Sequence, residues 1–147
     1  MAEASVTVSA SPERLFEVLS DGWQFAGWVV GSANVRAVET GWPRPGSRLH
    51  HAVGVWPATL KGETTVEVCQ APTHLALLAR GRPLGEARVD LRLARTAAGT
   101  VVTMGEVPVS GPGKWAQNPL LDSLLHARIV ESLRRLAALA EHPEVPA

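Results

Sequence analysis

The sequence predicts an α+β fold in which one antiparallel sheet packs against a long C-terminal helix. Three observations carry that expectation. Short runs with strand-like hydrophobic spacing recur from residue 33 to residue 109, joined by the turn-rich connections "QAPT", "GRPLG" and "RTAAG". Two helical signatures stand between the first strand and the rest. A helical stripe of Leu121, Leu125, Ile129, Leu133, Leu136 and Ala140 closes the chain. Burying each of its larger side chains is worth about 1.5–3 kcal/mol, and the sheet is the one large apolar partner such a helix could find.

The elements follow in order. "ASVTVSA" sets Val6 and Val8 at strand spacing. In "SPERLFEVLSDG" the period changes: Ser11 can cap a helix, Pro12 suits its first turn and Glu13 favours its positive end. Leu15, Phe16 and Leu19 then share a face until Asp21-Gly22 ends the run. "WQFAGWV" reads as a second short helix, because Trp23, Phe25 and Trp28 are too irregular for a strand. "ANVRAVE" leads to the turn "TGWPRPGS". The strands "RLHHAVGVW", "LKGETTVEVC", "HLALLAR", "EARVDLRLA" and "TVVTMGEVPV" succeed one another, with connections as short as consecutive antiparallel pairing requires. One strand, two helices and six strands thus precede the final helix, which Asn118 can cap, Pro119 can begin and Pro143 stops.

A chain of 147 residues suits a single domain, here residues 1–142 with a short tail at 143–147. Fourteen basic and fourteen acidic residues balance, which argues against a nucleic-acid partner. The single Cys69 cannot form an internal disulfide, and "MAEASVTVSA" lacks the pattern of a secretory signal, so a cytoplasmic protein is expected. No apolar run approaches the roughly 18 residues of a membrane span. Arginine outnumbers lysine and Ala and Gly are abundant, as in a GC-rich bacterial gene. The chain contains no tyrosine, which excludes a phenolic proton donor. It also lacks a "GxSxG" nucleophile motif and a glycine-rich phosphate loop, and no cofactor is expected.

The phrases "SPERLFEVLSDGWQFAGWV", "GSRLHHAVG", "TVVTMGEVPVSGPGKW" and "NPLLDSLLHARIVESLRRLAAL", in this order of elements, resemble the SRPBCC superfamily and its START-related helix-grip fold. The likeness is to the polyketide cyclase/dehydrase and lipid-transport branch and covers nearly the whole chain. It implies a curved seven-stranded sheet wrapped around the last helix, with a hydrophobic cavity between them. Relatives of this architecture include ligand carriers, aromatic-polyketide cyclases and co-chaperone-like domains, so the resemblance implies a pocket and no particular reaction. The expected partner is a small hydrophobic molecule: a polyketide, an aromatic compound or a lipid-like one.

Within that frame the candidate site residues can be weighed singly. Adjacent strand residues face opposite ways, so His50 and His51 cannot both enter a cavity. His51 shares its face with Leu49 and Val53 and is the inward one, either as an acid/base group or as a packed histidine bonded to a neighbour. Cys69 is expected on the outer face with Glu63, Thr65 and Glu67, so no metal site is assembled. Glu106 shares a face with Val102 and Met104. It either points into the core, where it could act as acid or base, or is returned to solvent by a bulge at Gly105. Arg80 is read as clamping a ligand oxygen, pairing with Glu106 or snorkelling to the rim. Ser132 lies within the apolar stripe, lining a pocket or bonding its own backbone. Val53, Met104, Leu121, Leu125 and Ile129 complete the expected lining with Trp28, Trp56 and Trp115. Each of these tryptophans either stacks on a ligand or packs in the core, Trp115 as a cover to the entrance or a seal on the helix end. Arg88, Asp90 and Arg92 alternate with apolar residues as an outward charged ladder. Two functions compete: a binding protein without chemistry, and a cyclase or dehydratase. In the second, Glu106 or His51 moves a proton while Arg80 or an indole N–H stabilises an enolate oxygen.

Overall fold

The computed structural model describes residues 2–30, 32–53, 60–81, 85–110 and 119–142. In chain order the elements are β1 (Ala2–Val8), α1 (Pro12–Ser20), a 3-10 turn (Gly22–Gln24), α2 (Phe25–Trp28), β2 (Ser32–Val38), β3 (Arg48–Val53), β4 (Leu60–Gln70), β5 (His74–Gly81), β6 (Gly85–Thr96), β7 (Gly99–Ser110) and α3 (Pro119–Glu141). The strands form one antiparallel sheet in the order β1-β7-β6-β5-β4-β3-β2. Strands β2 to β7 each lie beside their sequence neighbour, as short turns demand. β1 instead pairs with β7, so the segment carrying α1 and α2 must travel from one sheet edge to the other.

The local reasons for these elements are those expected. Ser11 Oγ accepts the Arg14 N–H, Pro12 opens α1, and Leu15, Phe16, Val18 and Leu19 are buried. The β6–β7 turn requires glycine at 99, where φ is +135° and an added Cβ would lie 2.1 Å from the Val8 carbonyl oxygen. Three strands depart from simple alternation: β2 shifts register twice against β3, β7 shifts between Pro108 and Ser110, and β4 does so with a consequence for the core. β4 bulges between Val66 and Val68, which reverses the phase of its last residues. Cys69 therefore pairs with Leu75 and packs against the core, on the opposite side from the one its spacing implied. Burial pushes its thiol pKa up.

α3 lies against β1, β7, α1 and α2. Ile129, Leu133, Leu136 and Ala140 are buried on its inner face and join a core that includes Leu15, Trp28, Leu91 and Val102. Its C-terminal carbonyls, which lack partners within the helix, are met by Arg14, whose Nε and Nη2 donate to Ala140 O at 3.3 Å and Leu139 O at 3.2 Å. Glu141 accepts the Ser9 N–H at 2.8 Å. Asn118 and the tail beyond His142 lie outside the described residues. No helix among the described residues is long and apolar enough to cross a membrane.

Candidate ligand site

Residues paired across strands share a sheet face, so the register reads the inner surface row by row. Ala4, Met104, Leu91, Leu75 and Cys69 form one row, and Ala2, Glu106, Val89, Leu77 and Val66 the next. The following row is Pro108, Ala87, Ala79, Thr64 and Leu49, and the last is Gly85, Gly81, Gly62 and His51. Side-chain volume therefore falls steadily toward one end of the sheet. Along β5 and β6 accessibility follows it, Leu77 and Val89 being buried and Ala79 and Ala87 half-buried, whereas on β3 and β4 Leu49, His51 and Thr64 are buried at the same end. The helix shows the same trend, since Ile129 is buried and Leu125, one turn earlier, is half-buried.

Four polar side chains stand near the small-residue end of this face. Glu106 is 2% exposed and points inward, with β1–β7 and β6–β7 pairing continuous through Gly105, so there is no bulge at that glycine. Arg128 compensates its charge. Nη1 lies 3.0 Å from Glu106 Oε1 and donates to Oε2 at 3.3 Å, while Nε donates to the Val30 carbonyl at 2.7 Å. A buried carboxylate is tolerable only with such a partner. Ser132, also buried, accepts the Val30 N–H at 3.1 Å, so it serves a neighbouring segment instead of its own helix. α3 thus grips both polar atoms of the Val30 peptide backbone, one through Ser132 and one through Arg128.

His51 is 5% exposed. Its Nε2 shares a 2.9 Å hydrogen bond with Thr64 Oγ1, with the donor set by the tautomer, and its ring lies against Phe25 at 5.3 Å between centroids. Nδ1 is buried without a hydrogen-bond partner among the described residues. Burial lowers the imidazole pKa; the Ala52 backbone opposes this, and the Arg36, His50 and Arg128 charges reinforce it. The neutral ring is therefore favoured, with one nitrogen uncommitted.

Of the lining expected from sequence, Trp28, Met104, Ile129 and Ser132 are buried and Leu125 is half-buried. Trp28 packs edge-on against Phe25 at 5.6 Å. Arg80 is a correction. It stands on the outer face, half-exposed, where Nε donates to Glu86 at 2.8 Å and Nη1 lies 3.9 Å from Glu63, because its cross-strand neighbours are those two carboxylates. It neither meets Glu106 nor reaches the inner face. Trp56 and Trp115 lie outside the described residues, as do the side chains of Val53 and Leu121. Arg88 pairs with Glu67 and Arg92 with Asp90 on the outer surface. Arg128 and Thr64 are the contributors that sequence reading missed. Arg128 falls three residues after Leu125 and four before Ser132, a spacing that places it on the inward side of the helix. A separate open groove of about 520 Å³ lies between α1 and the β4–β5 turn, lined by Phe16, Ser20, Pro72 and three carboxylates. It contains none of the expected site residues.

Comparison with known proteins fits this architecture. No curated protein matches the chain. Among solved structures, a protein from Chromobacterium violaceum superposes with a TM-score of 0.73 at 18% identity, covering 96% of this chain and 97% of that one. The ZhuI aromatase/cyclase from Streptomyces sp. R1128 gives 0.66 at 20% identity, covering 95% and 92%. The di-domain aromatase/cyclase StfQ of the steffimycin biosynthetic pathway gives 0.71 at 15% identity, covering 95% of this chain and 49% of that one. At such identities the likeness establishes the helix-grip fold. A family model described as polyketide cyclase/dehydrase and lipid transport matches residues 2–141, and the chain belongs to that family.

Proposed function

We propose that the protein holds a small, mostly apolar molecule between the inner face of the sheet and the N-terminal half of α3. The observation that carries this reading is the run of small residues at one end of the inner face, the half-buried Ala79 and Ala87 beside the glycines at 62, 81 and 85. Small residues there leave backbone and methyl surface for a ligand to cover, and covering it gains about 25 cal/mol per Å² of apolar area. Leu125, Ile129 and Met104 supply neighbouring apolar surface, while His51 and Arg128 supply polar contacts at its edge. Glu106 is committed to a guanidinium, which suits a counter-charge better than a free base. That favours binding over proton transfer by this carboxylate.

The second reading, a cyclase or dehydratase, is favoured by His51 specifically. A neutral imidazole with an unpartnered nitrogen could accept a proton from a carbon between two carbonyls, and Arg128, not Arg80, would then stabilise the enolate oxygen. The structural neighbours named as aromatase/cyclases lend this reading support of the same, family-level kind. Native mass spectrometry of the purified protein, followed by titration of tryptophan fluorescence with co-purified molecules, tests the binding reading. Trp28 sits beside Phe25, which touches His51, so an occupied site should alter its emission. Absence of any saturable ligand across aromatic and acyl classes would refute the pocket. Turnover of a bound polyketone that survives in Glu106→Gln but not in His51→Ala would establish the second reading.

A further inference from the structure

We infer that Glu106 sets the charge selectivity of this pocket, making it a site for uncharged molecules that carry a hydroxyl or carbonyl and a poor site for carboxylates. The inference rests on the pocket reading above and deepens it. Arg128 is the cation that α3 brings to the inner face, and an unaccompanied guanidinium would attract any ligand carboxylate through paired hydrogen bonds. It is accompanied. Both Glu106 oxygens lie within 3.3 Å of Nη1, and Nε is committed to Val30. An arriving carboxylate would have to share one cation with a buried like charge, an arrangement that disfavours ionisation of both. It would also leave water to do so, which a neutral molecule of the same shape need not.

A second titratable group near the region makes the same selection. His51, on β3, pairs with Gly62 of β4 on the same face as the small residues, with Nδ1 unpartnered among the described residues. Depending on tautomer that nitrogen donates to a carbonyl or accepts from a hydroxyl, so it suits either neutral group. Burial holds the ring toward its uncharged form, which offers no cation to a ligand anion. Arg36, on the adjoining strand β2, is exposed and its charge is screened by water. The buried Glu106 is thus balanced by Arg128 without a ligand, and an ionised ligand would unbalance that pair.

The test compares ligands matched in skeleton and differing in charge: 2-naphthol against 2-naphthoate, and decanol against decanoate, titrated at pH 7.5 by tryptophan fluorescence. The neutral member of the tighter-binding skeleton is expected to bind wild type at least ten-fold more tightly. Glu106→Gln should shift that ratio toward the carboxylate by at least ten-fold, because Arg128 loses its counter-charge. The double variant Glu106→Gln/Arg128→Met should again prefer the neutral member. Equal or tighter binding of the carboxylate by wild type overturns the inference while leaving the pocket intact. A ratio that Glu106→Gln does not move does the same. If none of the four compounds binds wild type, the pocket reading fails and takes this one with it. The wild-type comparison stands even if a variant does not fold.

Discussion

Arg128→Met should destabilise the protein far more than Glu106→Gln, although both break the same ion pair. The two ends differ in their access to water: the Arg128 side chain is 35% exposed, the Glu106 side chain 2%. Removing the arginine leaves a carboxylate sealed from solvent, and breaking a buried pair in that way costs about 3–5 kcal/mol. The Val30 carbonyl also loses its donor, worth about 1 kcal/mol. Removing the carboxylate charge leaves a guanidinium that can turn toward water and still bond Val30, at about 1–2 kcal/mol by the same hydrogen-bond scale. Urea unfolding at pH 7.5, followed by tryptophan fluorescence and far-UV circular dichroism together, measures both. The double variant should cost less than the sum of the singles, with a coupling of about 1.5–3 kcal/mol. Equal costs for the two single variants, or a coupling near zero, would refute the view that Arg128 neutralises a sealed charge.

Three further outcomes follow from the same geometry. The folded-state pKa of His51 lies below its unfolded value of 6.5, so the unfolded chain binds the proton more readily. The stability this neutral ring contributes is fully present above about pH 6.5 and is lost as the pH falls toward the folded value; wild type should lose more stability than His51→Gln between pH 7.5 and 5.5 in parallel thermal melts. Gly99→Ala should cost about 2 kcal/mol or more, since φ of +135° strains an L residue and its Cβ would meet the Val8 carbonyl; a melting temperature within 2 °C of wild type would contradict it. Ile129→Ala removes a fully buried side chain and should cost about 2–5 kcal/mol in urea, whereas Leu124→Ala, on the exposed face of the same helix, should fall within about 0.5 kcal/mol of wild type.

The order of elements was legible because it depends on local chemistry: turn residues at each connection, Ser11 and Pro12 at the start of α1, and a helical stripe whose later members are all buried. The inward faces of His51 and Glu106 were legible as candidates for the same reason, since alternation needs no knowledge of the partner strand. What alternation could not decide was whether Glu106 would be tolerated inside. That depended on Arg128, which lies on a different element and declares itself only by its place beside the stripe. Arg80 was ambiguous because two leucines in succession hide the phase of β5; the pairing of Arg80 with Glu63 and Glu86 resolves it, and pairing is a property of the sheet. Cys69 was placed on the wrong face because the β4 bulge interrupts the period without a glycine or proline between Val66 and Val68 to announce it. The row of glycines beside His51 was invisible for a similar reason: three residues scattered over 24 positions of sequence become neighbours only through register.

The attachments of α3 described above have a mechanical side. Ser9, Arg14, Val30 and Glu106 tether the helix from beyond the β1 end, from α1, from just after α2 and from β7, and none of them belongs to β3, β4 or β5. The rod is hung along one side of the bowl, like a door on its jamb. Swinging it about that line would part side-chain contacts and leave the strand ladder whole. A ligand held as proposed above could then come and go without local melting of the sheet, at the cost of uncovering part of the apolar stripe around Ile129.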